Sequence, residues 1–355
     1  MTKVLMTGNE AIGEAAIRAG CDFYAGYPIT PQNELTAYMA KRCPEENRVF
    51  IQAESELAAI SMVMGAAASG RRAMTSSSSP GISLKQEGIS YLAGARLPCL
   101  IVNIMRGGPG LGNIAPAQSD YFQATRGGGH GDYHCVVLGP CSVQEGYDLV
   151  FLGFHLADKY RTPAIILGDG MLGQMMEPLV VASRSSLVSS KNKKPRTKKW
   201  ALTGCKGREP NIVKSFYMQE GALEEHNKIL QKNYSQIEKN EQRFEGLYLE
   251  DAEIILVAYG SMARIARSTV EALRKKGKKA GFLRPVSLWP FPVNIFEKLL
   301  RKKRKNLRFF VTEMSYGQMV EDVSLAVNGR AGIDFYGRSG GGIPTEKEIL
   351  KRILQ

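Results

Sequence analysis

The sequence predicts a two-domain α/β protein built on parallel sheets, and three observations carry that expectation. Residues 3–25 read in the order strand, turn, helix, strand, which opens a parallel sheet. Residues 98–105, PCLIVNIM, form a continuous apolar run suited to a central strand buried on both faces. Between residues 183 and 208 the composition changes to Ser, Lys and Arg with few apolar side chains, and strand and helix patterns resume only later. The expected units are residues 1–182, a basic linker with a polar helix over 183–250, and a smaller α/β domain over 251–355. A chain of 355 residues is long enough to give each domain a core.

Taken in order, residues 3–7 form a strand and the helix after Gly8 ends near Gly20. The turn GNEAIG at 8–13 lacks the GxGxxG spacing, and no phosphate-loop lysine follows, so neither nucleotide fingerprint is present. The next strand, 22–25, stops at Tyr27-Pro28-Ile29-Thr30-Pro31, at a strand end where open α/β sheets hold ligands. Two prolines stiffen that loop around the Thr30 hydroxyl, although a turn and helix cap before residues 32–42 would suffice to explain it.

Residues 48–70 hold the most informative stretch, a short strand at 49–52 followed by a helix of Ala, Ile, Met, Val and Gly with Glu54 and Glu56 in its expected first turn. Acids there complement the helix dipole, which accounts for one of them. A carboxylate placed where a strand meets a buried helix is also often aimed at a ligand. Composition leaves both roles open for Glu54.

Residues 72–75 form a strand, and the serines at 76–79 are either caps or a polar wall beside a ligand. The strand at 98–105 delivers Arg106 into a glycine-rich loop, which suits a small carboxylate, with an ion pair as the common alternative. His130 and His134 are four apart, but the intervening sequence is glycine-rich and argues against a shared helical face for a metal. A strand at 135–138, a helix at 143–160 and a strand at 164–167 complete the first domain. One polar helix is expected over 220–245, then strands at 253–259, 279–284 and 308–312 with helices at 263–276 and 320–328.

The formal net charge is +13. Its lysines and arginines fall in blocks at 191–208, 274–279 and 298–308 without a repeated aromatic platform, so solvated faces or a docking surface for an acidic protein are favoured over nucleic acid. The six cysteines include no CxxC, which predicts buried free thiols instead of a metal or iron–sulfur site. No apolar run is long enough for a membrane span and no signal peptide is visible, so a cytoplasmic protein is expected.

With the YPITP loop, Gln52-Ala53-Glu54, the serine turn ending in Pro80-Gly81, and Asn103-Ile104-Met105-Arg106-Gly107-Gly108-Pro109 all in this order, the chain resembles the alpha chain of 2-oxoacid:ferredoxin oxidoreductases. The match continues through Arg284-Pro285-Val286-Ser287-Leu288-Trp289-Pro290 and Glu313. It is most similar to the branched-chain (2-oxoisovalerate) type, on the serine turn and Gly110-Leu111-Gly112-Asn113. The resemblance implies a pyrimidine-type thiamine-diphosphate-binding domain followed by a transketolase C-terminal-like domain. It implies that Glu54 bonds N1′ of the aminopyrimidine, favouring the imino tautomer that activates the cofactor, while Glu56 serves the helix end. Thr30 and Arg106 would hold the oxoacid, and Tyr27, Pro28, Ile29 and Ser78 would line the cofactor.

The implied reaction is oxidative decarboxylation, with electrons passed to ferredoxin and the acyl group to coenzyme A. Thiamine diphosphate would be shared with a beta chain carrying Mg²⁺, and iron–sulfur clusters would lie in partner chains only. Gamma and delta chains are further expected partners, and this chain alone would be inactive. Gly168-Asp169-Gly170 imitates a magnesium motif, but the expected Asn is missing from its place and the turn is read as a decoy. Two rivals remain at this stage, the same chemistry on 2-oxoglutarate or another oxoacid, and a non-catalytic scaffold in which Glu54 merely caps a helix.

Overall fold

A computed structural model describes residues 3–181, 198–301 and 307–355. The sequence linker at 183–197, with Asn192, and the basic run at 302–306 lie outside the described residues. The first unit runs β1 (Lys3–Thr7), α1 (Gly8–Arg18), β2 (Phe23–Gly26), α2 (Asn33–Glu45), β3 (Val49–Gln52), α3 (Glu56–Ala68), β4 (Ala73–Ser77), α4 (Pro80–Gly94) and β5 (Leu100–Met105). It continues through α5 (Tyr121–Thr125), β6 (Val136–Leu138), α6 (Val143–Tyr160), β7 (Ala164–Asp169), α7 (Gly170–Gln174) and β8 (Met176–Val180). The second comprises α8 (Ala222–Asn240), β9 (Phe244–Leu247), β10 (Ile254–Val257), α9 (Met262–Lys275), β11 (Ala280–Pro285), β12 (Ser287–Trp289), α10 (Val293–Arg301), β13 (Arg308–Glu313), α11 (Met319–Val327), β14 (Gly332–Gly337) and α12 (Glu346–Leu354).

A seven-stranded sheet in the order β12-β6-β7-β5-β4-β2-β3 forms the body of the first unit, parallel except at β12. Its central strands β4, β5 and β7 are buried along their whole length, as their apolar, β-branched sequences require. The second unit is a five-stranded sheet, β14-β13-β10-β11-β9, whose strands are parallel except for β9. The α/β architecture expected from the sequence is thus present in both.

Three local expectations are corrected. Strand β1 does not open the parallel sheet; it pairs antiparallel with β8 in a separate ribbon. Residues 3–5 are exposed, so this strand lacks the two buried faces that a central parallel strand needs. The polar helix ends at Asn240, because Glu241 is drawn into the protein by Lys159 and Tyr160, both at 2.7 Å, and residues 244–247 pair with β11. Of the six free cysteines four are buried, but Cys141 is half-buried and Cys205 is exposed.

Strand β12 belongs by sequence to the second unit yet pairs with β6 at the edge of the first sheet. Nearby, the buried Arg284 reaches back to both oxygens of Glu145 at 2.8 Å, a bidentate pair of the kind arginine makes best. Tyr121 Oη donates to Asp322 at 2.6 Å, and Asp169 accepts from Ser261. The two units are therefore stitched through strand pairing as well as side chains.

Candidate active site

The parallel strands end together. Register pairs Gly26 with Gln52, Ser77 with Asn103, and Met105 with Asp169, so the loops that follow β2, β3, β4, β5 and β7 share one edge of the sheet. That edge is where open parallel sheets bind ligands, because strand ends splay and following helices present their N-termini there.

The loop after β2 is fixed from beneath. Tyr24 Oη, Ser76, Thr36 and Gln32 form a buried hydroxyl–amide network, with Ser76 Oγ donating to Gln32 Oε1 at 2.6 Å. Asn9 and Gln174 both donate to the Pro31 carbonyl, at 2.8 and 2.9 Å. Above this base Tyr27 and Pro28 are exposed, Ile29 and Thr30 are half-buried, and the Thr30 hydroxyl accepts from Asn33 at 3.1 Å.

Arg106 closes the opposite side. Its guanidinium is 7% exposed and donates to two neutral carbonyls, Thr30 at 2.9 Å and Leu111 at 3.1 Å, while Nε has no partner. Among the described ion pairs none involves Arg106, so the ion-pair alternative is not realised. A buried cation lacking a counter-carboxylate is matched to an incoming anion.

The four serines divide their work. Ser76 serves the network below the loop, and Ser79 builds a lock at the start of α4. Ser79 Oγ donates to Asp120 at 2.6 Å, its N–H donates to Asn103 Oδ1 at 3.1 Å, and Asn103 Nδ2 donates to the same carboxylate at 2.9 Å. Burial pushes the Asp120 pKa up, and those two side-chain donors pull against it. The lock holds Ser79 at φ 24°, a conformation L-residues seldom adopt, as strained turns at ligand sites do. Ser77 and Ser78 are fully buried, and neither hydroxyl has a partner. Unpartnered buried hydroxyls are costly unless a ligand meets them.

Of the two acids expected in the first turn of α3, only one is buried. Glu54 sits in the bend before α3 and is exposed. Ser55 is the N-cap, its Oγ accepting from Ala58 N at 3.2 Å, so the helix begins at Glu56. Glu56 is 5% exposed, and an ideal Cβ placed on Gly81 would lie 2.5 Å from its Oε1 and closer still to Ser77 Oγ. Glu56, Ser77 and the bare backbone of Gly81 therefore converge at the start of α4. The structure puts the cap at Ser55 and the buried carboxylate at Glu56, while Glu54, the acid expected to face the cofactor, is exposed. The signal was in the sequence: serine is a far better N-cap than glutamate, and it leaves Glu54 outside the helix. Gly81→Ala should push against Glu56 and Ser77, weakening thiamine diphosphate affinity by about tenfold or more while the fold persists, a change that calorimetry on the assembled complex would read.

Sequence reasoning missed Lys85. One turn beyond Gly81 on α4, it is wholly buried and donates to Thr75 Oγ1 at 2.8 Å. Burial lowers its pKa from 10.5 to about 8, against the opposing pull of Glu56. A depressed lysine pKa carries a sign: well above the unfolded value of 10.5 there is no penalty, stability is lost progressively as pH falls from 10.5 to about 8, and below about 8, where the buried amine is charged, the penalty stays constant. Lys85→Met should therefore stabilise the protein by up to roughly 3 kcal/mol at neutral pH and by less than about 1 kcal/mol near pH 10, as denaturant midpoints at both would show.

Asp169 is committed to its own chain. Oδ1 accepts from Met171 N and Leu172 N at 3.1 Å and from Ser261 Oγ at 2.7 Å, and Oδ2 accepts from Ser261 N at 3.1 Å. The turn that imitates a magnesium motif thus caps α7 and anchors the second unit. Among the described residues no three His, Cys, Asp or Glu side chains gather as metal ligands.

Residues 14–245 match the family described as pyruvate flavodoxin/ferredoxin oxidoreductase, thiamine diphosphate-binding, and residues 252–349 match pyruvate:ferredoxin oxidoreductase core domain II. Ketoisovalerate oxidoreductase subunit VorB of Methanothermobacter marburgensis is 48% identical across 100% of this chain and 98% of its own length. The 2-oxoglutarate synthase subunit KorA of Methanocaldococcus jannaschii is 34% identical, covering 98% of both chains. Among solved structures, the 2-oxoglutarate:ferredoxin oxidoreductase of Magnetococcus marinus, with 2-oxoglutarate, coenzyme A and succinyl-CoA bound, superposes with a TM-score of 0.84 at 26% identity. That alignment takes in 99% of the present chain, which spans 65% of the longer solved one. The chain belongs to the 2-oxoacid:ferredoxin oxidoreductase family, as a subunit that carries its thiamine-diphosphate-binding domain.

Proposed function

We propose that the protein acts within an oxidoreductase complex that decarboxylates 2-oxoisovalerate oxidatively, forming acyl-CoA and CO₂ and reducing ferredoxin. The observation that carries this reading is Glu56, buried at the start of a helix and converging with the unpartnered Ser77 hydroxyl at Gly81. These residues fit an aminopyrimidine, a flat heterocycle that needs one carboxylate at N1′ and small polar neighbours. When bound, thiamine diphosphate supplies the electron sink for decarboxylation.

Glu56 holds or releases the proton at N1′ from a water-poor position, and Ser77 and Ser78 offer hydroxyls along the same wall. Gly81 leaves room for them. Arg106 orients the substrate carboxylate, and Thr30 offers a hydroxyl at the mouth of the site. Tyr27, Pro28 and Ile29 form the loop that borders the cofactor, exposed enough for a second chain to close over it. Because Asp169 is spent on α7 and Ser261, the magnesium–diphosphate half is assigned to a beta chain. Iron–sulfur clusters are assigned to partners too, with gamma and delta chains completing the complex. Among the described residues no helix is long and apolar enough to cross a membrane.

The test is turnover of the purified complex across a panel of 2-oxoacids. Highest kcat/KM on 2-oxoisovalerate supports the proposal, and preference for 2-oxoglutarate replaces its substrate. A chain that co-purifies with neither thiamine diphosphate nor iron–sulfur absorbance would instead be a scaffold.

A further inference from the structure

The described members of the basic blocks at 274–279 and 298–308 meet at one end of the second unit. Strands β10, β11, β13 and β14 are parallel and start in register, Ile254 beside Ala280 and Arg308, and Arg308 beside Gly332. Helices α9, α10 and α11 each lead into one of those starts, so their C-termini lie at the same end. Arg308 Nη2 donates to the Ile353 carbonyl at 3.5 Å and brings the last turn of α12 there too. The opposite end of this sheet faces the first unit, where Ser261 meets Asp169 and Met314 N donates to Gln118. The basic end is therefore turned away from the cofactor edge.

The acids at this end are already paired. Asp251 is 2.6 Å from Arg274, Glu253 is 3.1 Å from Lys279, Asp334 is 2.9 Å from Arg308 and Glu297 is 3.6 Å from Arg301. Glu250 is engaged as well. Lys275, Lys276, Lys278, Lys298 and Lys351 are exposed, and none of them takes part in an ion pair among the described residues. The helix dipole accounts for a cation in a last turn. It does not account for Lys278, which lies past α9, nor for like charges gathered at one end, where each repels the next.

We propose that this end docks an acidic face of another chain of the complex. Only the existence of that complex is taken from the function proposed above. Charge complementarity sets the chemistry of the partner. Lysine ammoniums are compact point charges that steer towards and pair with carboxylates, whereas nucleic acid is gripped by free arginine forks and stacked on open aromatic faces. Here the arginines are engaged, Arg274, Arg301 and Arg308 in the pairs above and Arg330 by the Val327 and Ala326 carbonyls, both at 3.0 Å. The rings of Tyr248 and Tyr336 are covered by Arg274 and Arg352, at 5.0 and 4.7 Å from the ring centres.

Mass photometry of the assembled complex over a salt series tests this. In wild type, release of one partner chain should rise steeply between about 50 and 500 mM salt, as a contact between exposed charges requires. Lys275→Glu, Lys276→Glu and Lys278→Glu together should weaken retention of that chain by about tenfold at the low end and converge on wild type at the high end. Lys298→Glu with Lys351→Glu, on two other helices, should weaken it as well. Lys232→Glu with Lys239→Glu, exposed on α8, should change nothing. Charge reversals that leave composition and salt midpoint at wild-type values overturn the inference, and so does binding of duplex DNA at about 150 mM salt that the triple variant abolishes. Where wild type carries partner chains and the reversals are silent, the inference fails alone; a wild-type chain that runs without partners sinks the proposed complex and the docking face with it.

Discussion

Glu56→Gln is expected to lower turnover of the assembled complex by roughly 10²- to 10⁴-fold, the span that a positioned proton-transfer group contributes. Glutamine preserves the shape and one hydrogen bond but cannot hold or release the proton at N1′. The paired control is Glu54→Gln, which alters an exposed side chain outside the helix and should leave turnover within a factor of about two. Steady-state rates of both variants, with gel filtration to establish assembly, decide between the acids. A collapse of activity in Glu54→Gln with Glu56→Gln unaffected would return the role to the position first expected from the sequence.

Arg106→Ala should lower kcat/KM for the oxoacid by about 10- to 100-fold, mostly through KM, since a hydrogen bond to a charged group contributes about 1.5–3 kcal/mol. The guanidinium also ties the Thr30 carbonyl to that of Leu111, so its loss frees both loops. Arg106→Lys separates the two effects. It restores the charge but not the fork that reaches two carbonyls at once, and should recover part of the binding while leaving the loops looser. An unchanged KM in Arg106→Ala would remove Arg106 from the substrate site.

Much of this could be read from the chain itself. The buried strands were legible because continuous apolar, β-branched runs admit few other uses, and helix α6 was expected over the residues it occupies. The placement of Thr30, Ser78 and Arg106 along one edge of the sheet was legible because loops after parallel strands converge whatever else the fold does. The exposure of Glu54 was not legible from a local rule. Two acids in a first turn look equivalent until the serine between them is recognised as the cap, and only the packing of α4 against α3 buries one of them. Strand β1 carried the right pattern, but pairing partners are set by tertiary geometry that a five-residue stretch does not encode. Lys85 gave no local signal at all, since its burial and its hydrogen bond to Thr75 come from the packing of α4 on β4.

The margin strand that the C-terminal part lends to the larger sheet carries a consequence for how this polypeptide can be divided. Severing the backbone between the two units would leave β6 with unpaired amides and carbonyls along a bare border, an invitation to aggregation. Two such fragments made together should instead dock again through that seam and the Arg284–Glu145 clasp, behaving as one body without a peptide link.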